Sequence, residues 1–249
     1  MVNFNERILE ARANKFRERN GIGITDPVDL YKLLNELNVL TRFQKMSPEF
    51  SGMALKIGDA RFILVNRTQR RARQHFTIGH ELYHLFEQPE FSFMLCKTGR
   101  FDKRDREEYN ADIFSSFLLM PEAGLLNAIP ENELARGGNI SLPTIVKLEQ
   151  YFGVSRRALL IRLDKLGLIK YSEYEQYLTG VIQSANELGY STKLYEADSD
   201  YNVIGDYGTI CKKLFEEGKI SESHYFNLMN DIGVNIDQKF EADAAGDDW

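Results

Sequence analysis

Two closely spaced histidines frame the part of the chain in which metal chemistry is easiest to recognise. His80 and His84 are the first and last residues of the run His80-Glu81-Leu82-Tyr83-His84, an HExxH motif. On a helix, residues four apart point in the same direction about one turn apart, so both imidazoles could reach one zinc ion. The motif therefore predicts a Zn²⁺ site built on a helix.

Glu81 lies directly after the first of these histidines. It is about 100° around the helix from His80, so its carboxylate would flank the metal rather than bind it. There it could accept a proton from a water molecule activated by the metal. We predict that Glu81 is the catalytic base of a hydrolytic site, with the neighbouring Tyr83 as a candidate donor to the oxyanion.

A catalytic zinc ion needs a third protein ligand and keeps its fourth position open for water. Glu108 follows His84 by 24 residues, and Asp112 lies one helical turn further along. The two share a helix face. We favour Glu108 as the third ligand, with Asp112 accepting a hydrogen bond from the ring N–H of a ligating histidine.

Other residues near the motif fit a ligand role less well. Glu90 is the alternative third ligand, but Pro89 interrupts the helix before it. His75 is five residues before His80 and points about 140° away from the ligand face. Cys96 and Cys211 are 115 positions apart without a CxxC pair, so neither a disulfide framework nor a cysteine zinc site is expected.

The metal-binding residues would be positioned by two helices and a small sheet. Apolar residues at helical spacing predict helices from about Thr68 to Phe86 and from about Lys103 to Leu119. Before them, β-like runs over residues 53–57 and 61–65 flank Gly58-Asp59, a tight-turn signal. We predict an α+β fold with a small antiparallel sheet, whose strand nearest the zinc could hold a peptide by strand addition.

Two further helices precede the sheet. The first runs from Phe4 to Phe16 and should end at Asn20-Gly21. The second is expected to be capped by Asp26, with Pro27 in its first turn and Asp29 completing a capping box. Both helices are interpreted as scaffold.

A helix-turn-helix outline follows the metal-binding part. Residues 142–151 and 156–166 predict two helices, the second capped by Ser155. Leucines dominate the second helix, so packing or repressor docking is favoured over DNA binding. Its basic residues, which could meet DNA phosphates, are Arg156, Arg157, Arg162 and Lys165.

The motifs together resemble a known family. The run from Arg73 to Leu85, the element Glu108-Tyr109-Asn110-Ala111-Asp112 and the closing Leu118-Leu119-Met120-Pro121 are similar to the ImmA/IrrE family of zinc metallopeptidases. The ExxAD-like element is shared more widely by gluzincins. The similarity extends over roughly residues 25–170. Tyr83 departs from the family pattern, because a glycine is usual at that place.

The resemblance implies zinc held by His80, His84 and Glu108, with Glu81 as catalytic acid and base and Asp112 in support. It also implies a substrate class, namely Xre-like helix-turn-helix repressors that are cut to relieve repression in mobile elements or stress responses. The alternative hypothesis is a non-catalytic regulator that binds the repressor or DNA and whose zinc is structural or vestigial.

The distribution of charge along the chain indicates how the chain is divided into parts. Residues 1–170 carry 26 Lys and Arg against 21 Asp and Glu, whereas residues 171–249 carry 5 against 16. We therefore predict a zinc metallopeptidase-like domain over 1–130, a helix-turn-helix-like region over 131–170 and an acidic segment over 171–249, with a hinge at Gly137-Gly138-Asn139.

An apolar content of 43% excludes disorder over the whole length. No apolar run approaches the roughly 18 residues of a membrane span, and Met1 to Arg7 lack the features of a secretion signal. We expect a cytoplasmic protein with a protein substrate.

Overall fold

The structure, a computed structural model, describes residues 4–96, 105–134, 139–197 and 202–234. The fold is α+β, as the sequence predicts. The strands are β1 (Val39–Gln44), β2 (Gly52–Ile57), β3 (Ala60–Asn66), β4 (Phe93–Cys96) and β5 (Val203–Ile204). The helices up to the metal-binding part are α1 (Phe4–Arg19), α2 (Leu30–Glu36), α3 (Arg71–Phe86) and α4 (Arg106–Leu119). They are followed by α5 (Glu122–Ala128), α6 (Glu131–Leu134), α7 (Leu142–Phe152), α8 (Arg156–Lys165), α9 (Tyr171–Tyr174), α10 (Val181–Glu187), α11 (Tyr207–Glu216) and α12 (Glu222–Asp231).

The strands form one sheet in the order β4-β2-β3-β1-β5. The predicted hairpin is confirmed, because β2 and β3 are antiparallel on either side of Gly58, whose φ of +58° suits a tight turn. The sheet is mixed rather than antiparallel throughout, because β1 runs parallel to β3. Strand β2 returns the chain to the end of the sheet at which β1 began. Strand β3 therefore starts at that end and runs parallel to β1.

Helix α1 ends as predicted, just before Gly21, whose φ is +65°. Helix α2 begins later than predicted, since Asp29 rather than Asp26 caps it by accepting a hydrogen bond from the Lys32 amide at 3.0 Å. The backbone carbonyl of Asp26 instead accepts a hydrogen bond from the guanidinium of Arg17. This bond holds the segment before α2 in a non-helical path.

Helices α3 and α4 pack closely, with the sheet against α3. Helix α3 begins at Arg71 rather than near Thr68, because the Thr68 amide and hydroxyl both donate to Asn66 Oδ1, at 3.1 and 2.8 Å, and form a turn. Helix α4 begins at Arg106, and the predicted start at Lys103 lies outside the described residues.

The helix-turn-helix outline is present as α7, a turn at Gly153 with φ of +64°, and α8 capped by Ser155. Two of the basic side chains of α8 are buried in the protein. Arg156 pairs with Glu149 at 2.6 Å, and Arg162 pairs with Glu10 at 2.7 Å. These contacts give α8 a packing role, in line with the interpretation favoured from the sequence.

The C-terminal part contributes β5 to the sheet and then a pair of helices, α11 and α12, the second capped by Ser221. One apolar core includes residues from Leu9 to Tyr174 and also Ile204. The division into three parts stays a prediction, and two of the three expected hinge residues, at positions 137 and 138, lie outside the described residues. Among the described helices, none has the length and apolarity required to span a bilayer.

Candidate metal centre

Helix α3 carries both histidines of the motif into the protein interior. Most of its length is buried between the sheet and α4, so His80, Glu81 and His84 are all fully inaccessible to solvent. Glu108 faces them from the first turn of α4, whose start is fixed by Asp105 capping the Glu108 amide at 3.3 Å. Two packed helices therefore hold the candidate ligands, which a loop would fix less precisely.

The three predicted ligands converge on one point. The Nε2 atoms of His80 and His84 are 3.1 Å apart, and Oε1 of Glu108 lies 3.5 Å from the first and 3.3 Å from the second. In a tetrahedral zinc site, bonds of about 2.0–2.1 Å place neighbouring ligand atoms about 3.3 Å apart. The observed separations match this spacing.

The far side of each imidazole ring is held by a hydrogen-bond acceptor. His80 Nδ1 lies 2.9 Å from Asp112 Oδ1, and His84 Nδ1 lies 2.5 Å from Gln88 Oε1. Both acceptors favour a proton on Nδ1, which leaves each Nε2 lone pair directed into the cluster. Gln88 was missed in the sequence analysis, although its spacing of four residues from His84 is a helical signal that could have identified it.

Two buried carboxylate oxygens test whether this cluster fits a bound cation. Oε1 of Glu81 and Oε1 of Glu108 are both inaccessible to solvent, and neither accepts a hydrogen bond from the residues that the structure describes. A buried polar atom without a partner is costly unless something compensates for it. The imidazole and carboxylate donors fit a divalent zinc ion, which would provide that compensation for Glu108 directly and for Glu81 through its positive charge.

The ionisable side chains of the cluster shift one another's pKa values. Burial by itself would lower the pKa of His80, but its contacts with Asp112 and Glu108 raise that pKa to about 10. Burial would raise the pKa of Glu108, yet both histidines hold it well below the usual range. Burial raises the pKa of Glu81. Glu81 is thus a better proton acceptor than an exposed carboxylate when it is ionised.

Cys96 joins the cluster, which the sequence analysis did not anticipate. The candidate ligand atoms of His80, His84, Glu108 and Cys96 all lie within 4.8 Å of one another, and the thiol donates to Glu81 Oε2 at 3.3 Å. The sequence offered no reason to expect a cysteine at the metal site, yet the fold brings Cys96 beside the candidate ligands. Sequence spacing gave no signal, because strand pairing rather than helix periodicity brings it there.

The remaining sequence candidates lie elsewhere. Glu90 is exposed and outside the cluster. His75 is half-buried, and its Nδ1 lies 2.8 Å from the carbonyl oxygen of Gly153, away from the cluster. Tyr83 donates its hydroxyl proton to Glu107 Oε2 at 2.8 Å, so this hydroxyl is engaged with α4 in the structure.

Strand β2 passes close to the candidate base, because a Cβ at Gly52 would lie 2.9 Å from Glu81 Oε1. The sequence analysis expected such a strand to offer its edge to a peptide. In the structure that edge is paired with β4, in the register Gly52 to Cys96 and Leu55 to Phe93. A peptide could add to β2 only if β4 were displaced.

Comparison with known families agrees with this geometry. Residues 35–164 match the Peptidase M78 family, described as the IrrE N-terminal-like domain. The chain belongs to this family. No curated protein gives a significant match. The matched Peptidase M78 region includes α3, α4 and every residue of the cluster, and membership supports a zinc-dependent, protease-like function.

The Peptidase M78 match also agrees with the chemistry of the cluster, whose side chains are typical metal ligands. The family consists of metallopeptidases, and the buried cluster of His80, His84, Cys96 and Glu108 could hold a metal ion. The matched region ends within α8, so the acidic part of the chain after residue 170 lies beyond it.

Proposed function

We propose that this protein is a zinc-dependent endopeptidase that cleaves a helix-turn-helix transcriptional repressor of the Xre-like type in the cytoplasm. The observation that carries the proposal is the convergence of His80, His84 and Glu108 beside the buried Glu81, in a chain that belongs to a peptidase family. The choice of a repressor as substrate follows from the resemblance of the motifs to the ImmA/IrrE peptidases.

In this proposal His80, His84 and Glu108 hold the zinc ion. The bound ion would supply Lewis-acid polarisation of the scissile carbonyl group. Asp112 and Gln88 fix the two imidazole rings through their Nδ1 atoms. These contacts reduce ring rotation, so the ligands do not have to be ordered when the metal binds.

Glu81 moves the protons in the proposed reaction. Its carboxylate accepts a proton from the attacking water as the water oxygen bonds to the carbonyl carbon. It then passes a proton to the amide nitrogen as the C–N bond breaks, which releases a carboxylate and an amine. Because burial raises the pKa of Glu81, the residue can serve first as base and then as acid near neutral pH.

The test is to incubate the full chain with the Xre-like repressor encoded beside its gene, with and without a chelator. We expect two fragments that appear only when metal is present. Glu81→Gln should stay folded and bind zinc but leave the repressor intact. Glu90→Gln is the matched control, since Glu90 is an exposed carboxylate near the same helix, and it should cut normally.

Two results would contradict the proposal. Cleavage by folded, zinc-loaded Glu81→Gln at the normal rate would exclude Glu81 as the base. A stable complex in which the repressor remains uncut would instead favour the regulator hypothesis, in which the protein acts by binding alone.

A further inference from the structure

The thiol of Cys96 lies beside the candidate ligands and has the chemistry of a metal ligand. Its sulfur belongs to the set of donor atoms that lie within 4.8 Å of one another. Zinc binds four ligands in closed sites, and cysteine sulfur is one of its usual ligands. A catalytic site instead leaves one of the four positions to water. The described conformation thus brings a possible protein ligand close to a site in which the reaction needs one position open.

The buried carboxylates of the cluster are a second, independent observation that fits a bound cation. Glu81 is fully buried, and no group in the described part of the chain donates a hydrogen bond to its Oε1 atom. Oε1 of Glu108 is also buried and receives no hydrogen bond from the described residues, although both histidines approach it. The thiol of Cys96 thus lies close to two carboxylates that a bound cation would stabilise.

Backbone pairing fixes the position of the sulfur. Cys96 is the last residue of β4 and lies opposite Gly52 on β2. Its carbonyl oxygen accepts a hydrogen bond from the Ser51 amide at 3.1 Å, and at the other end of β4 the Ser92 carbonyl accepts from the Lys56 amide at 2.8 Å. Gly52 must lack a side chain here, because a Cβ would lie 2.5 Å from Thr77 Cγ2 and 2.9 Å from Glu81 Oε1.

We propose that Cys96 is a fourth ligand to the metal in a resting state in which no coordination position is open to water. In this proposal β4 acts as a latch, because its pairing with β2 maintains that state. The inference rests on the proposed function, because it describes the regulation of the same site. One displacement of β4 would have two effects. It would withdraw the sulfur from the metal, and it would free the edge of β2 for a peptide to pair with.

The short length of β4 suits a latch. It has four residues and forms the end of the sheet, where β2 is its strand partner among the residues that the structure describes. The side chain of Phe93 at its start is 52% exposed. Such an edge strand can leave the sheet without disrupting the apolar core on which α3 and α4 pack.

The coordination is tested with Co²⁺ bound to the full chain in place of zinc. A thiolate–cobalt bond gives a near-ultraviolet charge-transfer band that imidazole and carboxylate ligands do not give. We expect this band in the wild type and its loss in Cys96→Ser. Cys211→Ser is the matched control, since Cys211 is also buried but lies in α11, and it should keep the band.

Zinc X-ray absorption on the wild type makes the test independent of whether any variant folds. A sulfur ligand at about 2.3 Å is expected beside nitrogen and oxygen ligands at about 2.0–2.2 Å. Stoichiometric metal bound without a sulfur contribution would overturn the inference and leave the proposed peptidase intact. If the protein bound neither Co²⁺ nor Zn²⁺, both the inference on Cys96 and the proposed peptidase function would be wrong.

The latch is tested by linking the two strands. Leu55 and Phe93 are direct partners in the register, so Leu55→Cys with Phe93→Cys could form a disulfide across them. We expect the oxidised form to retain zinc but lose cleavage of the repressor, and reduction to restore it. Equal cleavage in both forms would overturn the latch. If no form of the protein cleaves, the proposed function fails, and the sulfur signal still decides the ligand.

Discussion

His80 Nδ1 on α3 lies 2.9 Å from Asp112 Oδ1 on α4, and both side chains are buried. The contact joins the two helices that hold the candidate ligands, and it fixes the ring of one of them. We expect Asp112→Asn to lower zinc affinity by about 10–100-fold, because the neutral amide holds the imidazole N–H less strongly. Competition with a coloured chelator measures the change. Asp59→Asn, in the exposed β2–β3 turn, is the control, and equal affinities in the two variants would contradict the role of Asp112.

Glu108 and Glu90 were the competing third ligands, and the structure brings only Glu108 near the histidines. Glu108→Gln is expected to lose stoichiometric zinc on dialysis, because a neutral amide replaces the charged ligand. Glu90→Gln should retain it. Metal analysis of the two purified variants, with circular dichroism to show that both are folded, checks this. Loss of zinc from Glu90→Gln alone would reverse the assignment.

Gly79 allows α3 and α4 to approach closely. A Cβ at this position would lie 2.6 Å from Ser115 Oγ, which donates to the Phe76 carbonyl at 2.8 Å and so cannot move freely. Alanine favours a helix over glycine by up to about 1 kcal/mol. We nevertheless expect Gly79→Ala to lower the free energy of unfolding by about 1–3 kcal/mol, because its methyl group would be packed too tightly against Ser115. Urea denaturation measures it.

Adding Ser115→Ala to Gly79→Ala tests the cause of that loss. Without Oγ, the nearest of the contacts at Gly79 becomes Ser115 Cβ at 3.3 Å, so the double variant should be more stable than Gly79→Ala alone. A double variant that is no more stable would mean that the clash does not involve this hydroxyl.

His75 gives the stability a defined pH dependence. Burial holds the pKa of His75 below its ordinary value of 6.5, so below that pH the unfolded chain takes up a proton that the folded chain does not. This histidine therefore stabilises the fold above pH 6.5, and its contribution is lost as the pH falls, by at most about 1.4 kcal/mol per pH unit. Urea unfolding of the wild type and His75→Gln should show a steeper acid loss in the wild type. Parallel curves would contradict this.

The sequence determined the local part of the site. The spacing of four between His80 and His84, and of four between Glu108 and Asp112, fixes which side chains share a helix face. Helix periodicity is a property of neighbouring residues, so these predictions needed no tertiary information. The β2–β3 hairpin could be predicted for the same reason, because Gly58 and Asp59 act within the turn that they form.

The cap of α2 shows where local reasoning fails. Asp26 and Asp29 both suit the start of a helix by residue type. The choice of Asp29 as the cap depends on Arg17 in α1, whose guanidinium donates to the backbone carbonyl of Asp26. The same guanidinium also donates to the carbonyl of Leu118, near the end of α4, at 2.5 Å. Sequence patterns do not contain this long-range contact, so they could not separate the two candidates.

The sequence by itself thus determined which groups could form the centre, namely two imidazoles and the carboxylates of Glu81 and Glu108 on two helices. Only the tertiary structure decided that Cys96 joins them and that β4 covers the edge of β2. The physical reason is that strand pairing joins residues far apart in the chain. A register of hydrogen bonds, rather than any spacing along the sequence, places the sulfur beside the histidines.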